Sequence, residues 1–146
     1  MQNFLRISNA VSLAFHTMWL LAERADRRLN TPDIAKTLDV SEHHLQKVHQ
    51  RLAKAGFIQA VRGPRGGFRL LRPAEEITLL EVFEAIDGPF NPCHCMLGHP
   101  GCRVNGCILG NLVDRVDSLV YDHLRQFTVA ELAQTPLSKT VGRQQE

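Results

Sequence analysis

The chain has 146 residues, 44% of them hydrophobic and 22% charged, with a formal net charge of +2 at neutral pH. That apolar content suffices for one ordinary globular domain with some extension and excludes a disordered polymer. The charge is too mild to indicate a polyanion partner by itself, so a nucleic-acid role has to rest on where the basic side chains sit.

The apolar residues near the N-terminus are interrupted by His16, Glu23 and Arg24, without a long apolar run, so neither a signal peptide nor a membrane span is expected. The expected location is cytoplasmic. In that reducing compartment clustered cysteines are more often metal ligands or redox sensors than structural disulfides.

From Asn9 to about Arg24, Val11, Ala14, Phe15, Met18, Leu21 and Ala22 recur at helical spacing and predict a first amphipathic helix. The polar stretch ADRRLN ends it. Thr31 is then expected to cap a short second helix with Pro32 in its first turn and Ile34, Ala35 and Leu38 facing inward. Ser41 opens a third helix with Leu45, Val48, Leu52 and Ala55 on one face, and Gly56 stops it in a left-handed conformation. FIQAV and FRLL flank RGPRGG and predict two short strands joined by a tight turn. His16 and His49 fall on or beside helical apolar faces and are expected at the core edge, with His123 on a helix surface.

Helix, short helix, turn, helix and two-stranded hairpin is the order of a winged helix-turn-helix. The fold class expected is mainly α with a small β-hairpin wing. Such a module needs polar residues near the start of its recognition helix, where side chains reach base edges in the major groove. Ser41, Glu42, His43, Gln46, Lys47 and Gln50 supply that face, while Arg62, Arg65 and Arg69 surround the glycines of the wing turn. A polar helix face alone is most often merely solvated; the ordered set of elements is what favours DNA binding.

The stretch LDVSEHHLQKVHQRLAKAGFIQAVRGPRGGFRLLRPAEEITLLEVFEAIDGP resembles the winged-helix transcription regulator family that includes IscR, NsrR and CymR, with VRGPRGGFRL followed by EEITLLEVFEAIDGP as its most specific part. Weaker similarity runs from about residue 5 to residue 134. The resemblance implies a recognition helix in the major groove, a wing arginine in the minor groove, and a dimer made by a long C-terminal helix. By position, Arg62 corresponds to the wing arginine, and His43 and Gln46 fall where the family reads bases. One departure is Arg65, which stands where the family's GPGGG wing has the first of its three closing glycines. It either adds a phosphate contact or alters the wing backbone.

Beyond Pro73, Thr78 and Glu81 form a capping box that opens a further helix ending at DGP. Ile108, Leu112, Val116, Leu119, Val120, Leu124 and Phe127 mark a helix of about 20 residues, roughly 30 Å long. Burying its stripe most simply requires a second copy, a homodimer matched to a pseudo-palindromic operator on double-stranded DNA. Thr128 and Glu131 repeat the capping pattern, and the tail after Ser138 is expected to be loose. The expected organisation is a DNA-binding domain over residues 1–90, a cysteine-rich loop over 91–107, the dimerisation and terminal helices over 108–134, and a flexible tail over 135–146.

All four cysteines, Cys93, Cys95, Cys102 and Cys107, fall in the segment CHCMLGHPGCRVNGC, interspersed with glycines and prolines. Such a loop can turn several thiolates toward one centre, and thiolates suit zinc, cuprous copper or iron-sulfur clusters. Spacing alone does not choose among them, although the paired Cys-x2-Cys knuckles of a zinc ribbon are missing. The family resemblance favours a cluster, [2Fe-2S] or [4Fe-4S]: Cys95, Cys102 and Cys107 match its three-cysteine pattern best, though at different intervals. Cys93 is then the best fourth ligand, with His94 and His99 behind it. The function expected is a DNA-binding transcriptional regulator, a repressor, whose operator affinity follows a cluster sensing redox state, nitric oxide or iron-sulfur status. The alternatives are a thiol-disulfide or zinc-dependent regulator and, with less support, a small electron carrier or enzyme. No phosphate loop, Ser-His-Asp arrangement or paired-carboxylate site is readable in the chain.

Overall fold

The computed structural model describes residues 7–92, 109 and 111–134. The four cysteines and the tail from residue 135 lie outside the described residues.

Helix α1 spans Asn9–Glu23 and starts where the Ser8 hydroxyl accepts a hydrogen bond from the Val11 amide at 3.1 Å. Its Val11, Ala14, Met18 and Leu21, three or four residues apart, are buried together with Leu20 at the centre of the core. Each of the larger side chains contributes about 1.5–3 kcal/mol through burial. Helix α1 packs against four of the later α-helices and against the second strand of the hairpin.

Helix α2 spans Thr31–Leu38, and its cap differs from the expected one. Asn30 is the capping residue, its side-chain oxygen accepting from the Asp33 amide at 2.8 Å. Asparagine caps at least as well as threonine, and this leaves the Thr31 hydroxyl free to point into the domain. The helix closes at Asp39, whose backbone is left-handed with φ 54°. Helix α3 follows over Glu42–Lys54 with Leu45, Val48, His49 and Leu52 buried, and ends before Gly56, which adopts φ 80° as expected.

Strands β1 (Ile58–Val61) and β2 (Gly67–Leu70) pair antiparallel, with Gln59 opposite Arg69, Ala60 opposite Phe68 and Val61 opposite Gly67. The free edge of β2 is taken by the α1–α2 connection: Leu29 donates to the Phe68 carbonyl at 3.3 Å and accepts from the Phe68 amide at 2.8 Å. Gly67 makes this approach feasible, because a Cβ there would lie 2.7 Å from the Leu29 carbonyl oxygen.

Helix α4 (Leu79–Asp87) opens with the expected capping box between Thr78 and Glu81, and α6 (Val129–Ala133) with that between Thr128 and Glu131. The two boxes lie side by side. Leu79 donates to the Phe127 carbonyl and Val129 to the Ile77 carbonyl, both at 2.9 Å, fixing the end of α5 against the start of α4.

Helix α5 spans Leu112–Gln126, 15 residues rather than the expected 20 or so. At 1.5 Å per residue it is about 22 Å long. Ile108 lies outside the described residues, and Phe127 is already extended at the helix end, where its amide donates to the His123 carbonyl. The apolar stripe divides in two. Leu124 is buried and Val120 packs on the core, while Leu112 and Leu119 are 45% and 71% exposed. A ladder of rings, Phe83, Phe90 and Tyr121, each 5.4 Å from the next, joins α4, the segment after it, and α5.

Candidate nucleic-acid interface

Helix α3 is two-faced. Leu45, Val48, His49 and Leu52 are buried, whereas Ser41, Glu42, His43, His44, Gln46, Lys47 and Gln50 are exposed. His43, Gln46, Lys47 and Gln50 recur at three- and four-residue intervals and so share one outer face. Ser41 occupies the N-cap position but makes no capping hydrogen bond with its side chain, which keeps its hydroxyl available. All six residues that the sequence assigned to this face, Ser41, Glu42, His43, Gln46, Lys47 and Gln50, thus lie on the solvent side. His44 was overlooked: it is exposed and, with Lys47 and Arg51, lines a shallow cleft against Asn9, Ala10 and Leu13 of α1.

Arg62 follows the last residue of β1 and is exposed, as is Arg65 in the turn. The Gly66 amide donates to the Gly63 carbonyl at 2.8 Å, and a Cβ on Gly66 would lie 2.6 Å from the Val61 carbonyl oxygen. A side chain is therefore excluded at Gly66 yet accommodated one residue earlier. Among the described residues Asp39 alone, apart from glycines, has positive φ, so Arg65 sits in an ordinary backbone conformation and the departure from the glycine pattern leaves the wing unstrained. Arg69 serves the hairpin itself, its Nε and Nη2 donating to Gln59 Oε1 at 3.3 and 3.0 Å.

Between the wing turn and the α1–α2 connection lies an open polar cleft of about 630 Å³, lined by Arg27, Arg28, Arg65 and Arg69 together with Asp26 and Asp33. The contribution of Arg27 and Arg28 was not evident from the sequence, where they read as part of a polar loop. The pairing of Leu29 with Phe68 brings that loop beside the wing.

The exit of α4 is tied to α3 and to the start of α1. Arg51 of α3 donates from Nη1 to the Ile86 carbonyl at 3.0 Å, and the Ser8 hydroxyl donates to Asp87 Oδ1 at 3.0 Å. Arg72 donates to Glu81 Oε1 at 3.1 Å and to the Glu76 carbonyl at 2.7 Å. Partial burial works to raise the Glu81 carboxyl, but hydrogen bonds from Thr78 and the Arg72 guanidinium outweigh it and hold that carboxyl below its ordinary value.

His49, expected at the core edge, is 2% exposed. Its Nδ1 lies 3.2 Å from the Thr31 hydroxyl and its Nε2 3.4 Å from that of Thr17, while its ring packs against Phe68 at 4.7 Å. Burial pushes its pKa down to about 4, so the ring is neutral at physiological pH. His16 is exposed and bonded to the Ser12 carbonyl, and His123 stacks on Phe127 at the helix surface, as expected of it. Among the described residues no three His, Cys, Asp or Glu side chains are grouped to hold a metal ion, and no helix is long and apolar enough to cross a membrane.

Comparison with known proteins agrees with this architecture. The family model Rrf2, iron-dependent transcriptional regulator, matches residues 7–135. The transcriptional regulator IscR of Cereibacter sphaeroides is 30% identical over 122 residues, covering 83% of this chain and 76% of its own. NsrR of Bacillus licheniformis is 29% identical over 131 residues, 88% of this chain and 92% of its own. Among solved structures, CymR of B. subtilis, the global cysteine regulator, superposes with a TM-score of 0.74 at 24% identity, covering 88% of this chain and 96% of its own. With its two-faced third helix and arginine-bearing wing, the chain belongs to the Rrf2 family of DNA-binding transcriptional regulators and is not an enzyme.

Proposed function

We propose that the protein is a homodimeric repressor that binds a pseudo-palindromic operator, with affinity set by an iron-sulfur cluster on Cys93, Cys95, Cys102 and Cys107. The observation that carries the DNA-binding half is the division of α3 into a buried inner face and an exposed outer face, followed along the chain by a wing on which Arg62 and Arg65 are exposed. His43 and Gln46 read base edges in the major groove, Ser41, Lys47 and Arg65 contact phosphates, and Arg62 enters the minor groove. The exposed Leu112 and Leu119 on α5 supply the face for a second copy, which would place two recognition helices on two half-sites.

Support for the regulatory half comes from chemistry and from connectivity. Four thiols form a donor set suited to soft metals and iron-sulfur clusters, and the family model is that of iron-dependent regulators. Bound there, a cluster supplies a centre that responds to redox state, nitric oxide or iron-sulfur status. The cysteine segment departs from the end of α4, where Arg51 fastens the Ile86 carbonyl to the recognition helix. A change of state in that segment therefore acts on an element already hydrogen-bonded to α3.

Fluorescence anisotropy at fixed salt tests both halves. Arg62→Ala should weaken operator binding by about 1–3 kcal/mol, and Cys102→Ala should abolish the difference between cluster-loaded and cluster-free protein. Wild-type affinity in the first variant removes the wing assignment; an undiminished difference in the second removes the cluster from control.

A further inference from the structure

The inner face of a recognition helix is ordinarily apolar, and three of the four buried residues of α3 are Leu45, Val48 and Leu52. The fourth, His49, is as deeply buried as they are, at 2% exposure. An imidazole placed there costs free energy unless its nitrogens are satisfied. Both are. A neutral ring carries one donor and one acceptor, and a hydroxyl can answer either. Thr17 of α1, itself fully buried, faces Nε2, and Thr31 at the start of α2 faces Nδ1. The capping of α2 by Asn30 is what leaves the Thr31 hydroxyl for this contact.

Two hydrogen bonds to different helices fix the rotation of the ring, which packing of a leucine would not do. The ring face in turn seats Phe68 of β2, with centroids 4.7 Å apart and planes inclined by 56°. Phe68 has little freedom to slide, because its backbone is bonded in both directions to Leu29 and its neighbour Gly67 lies against the Leu29 carbonyl. Gly67 closes the last rung of the hairpin opposite Val61, and Arg62 is the next residue along. A chain of directional contacts thus runs from the inner face of α3 to the base of the wing.

We infer that His49 is a positioning residue for DNA recognition: it sets the angle of the wing against α3, so that Arg62 and the outer face of α3 engage one stretch of duplex together. The inference rests on the proposed reading of Arg62 as the wing contact. A purely structural role would lower stability and leave the contribution of Arg62 untouched. A positioning role makes that contribution depend on His49.

The test is a double-mutant cycle in the full-length protein, His49→Phe with Arg62→Ala, read as operator affinity by anisotropy at one salt concentration, with thermal stability measured in parallel. Phenylalanine keeps an aromatic ring against Phe68, though a somewhat larger one, and drops both hydrogen bonds. In the wild-type background Arg62→Ala should weaken binding roughly tenfold; in the His49→Phe background it should weaken it by about threefold or less. Should His49→Phe fail to fold, Thr17→Val, which removes the Nε2 partner alone, takes its place in the same cycle. Equal factors in the two backgrounds, whatever the melting temperatures, overturn the positioning role. An Arg62→Ala protein with wild-type affinity removes instead the wing reading, and the inference with it.

Discussion

Acidification should expose the cost of keeping His49 neutral. In the unfolded chain its imidazole takes up a proton near pH 6.5, whereas in the native protein burial delays protonation to about pH 4. Between those values the unfolded state binds about one proton more, so native stability falls as pH falls. The loss begins near pH 6.5, proceeds at up to ~1.4 kcal/mol per pH unit, and reaches about 3 kcal/mol by pH 4. That is a large share of the 5–15 kcal/mol typical of a domain. Urea unfolding at one protein concentration, from pH 7 to pH 4, should show the wild type losing more than His49→Phe by about that amount. Other titrating groups are common to both proteins and cancel in the difference. Parallel stability curves would refute the claim that the buried, doubly hydrogen-bonded imidazole resists protonation.

The remaining predictions concern other levels of the structure. Thr78→Ala removes the hydroxyl that accepts from the Glu81 amide at 3.2 Å and should cost ~1 kcal/mol, seen as a lower melting temperature; no change would mean that the capping box contributes nothing. Arg65→Ala should weaken specific and non-specific DNA alike and reduce the slope of log affinity against log salt by about 1. A loss confined to the operator would make Arg65 a base-reading residue. Leu119→Asp, at a position 71% exposed in one chain, should yield a monomer by sedimentation with the fold intact by circular dichroism, and an unchanged mass would place the dimer contact elsewhere.

Most of the fold was legible because its signals are local. The spacing of Val11, Ala14, Met18 and Leu21, the two Thr-x-x-Glu boxes and Gly56 each determine the backbone within a few residues. The misjudged features are those decided by contacts across the chain. Asn30 and Thr31 are both competent caps, and the choice between them follows the demand of a histidine 18 residues away for a hydroxyl. His49 read as a core-edge residue because nothing in its neighbourhood announces Thr17 and Thr31 as partners. The length of α5 was overestimated because apolar periodicity continues through Ile108 and Phe127, although Phe127 leaves the helix to pair near α4. Of the candidate site, the outer face of α3 followed from helical period alone, whereas the arginines of the α1–α2 connection join the wing through long-range contacts such as the Leu29–Phe68 bridge.

The proposed control of DNA binding is tested most directly on protein purified without oxygen, with iron, acid-labile sulfide and zinc counted on the sample used for operator titration before and after metal removal. A coloured protein holding iron and sulfide together, whose operator affinity changes when they are removed, is the result expected. A colourless protein with zinc or no metal even after reconstitution, or one with the same affinity in both states, would contradict cluster control and leave a winged-helix regulator governed by its thiols or by another signal.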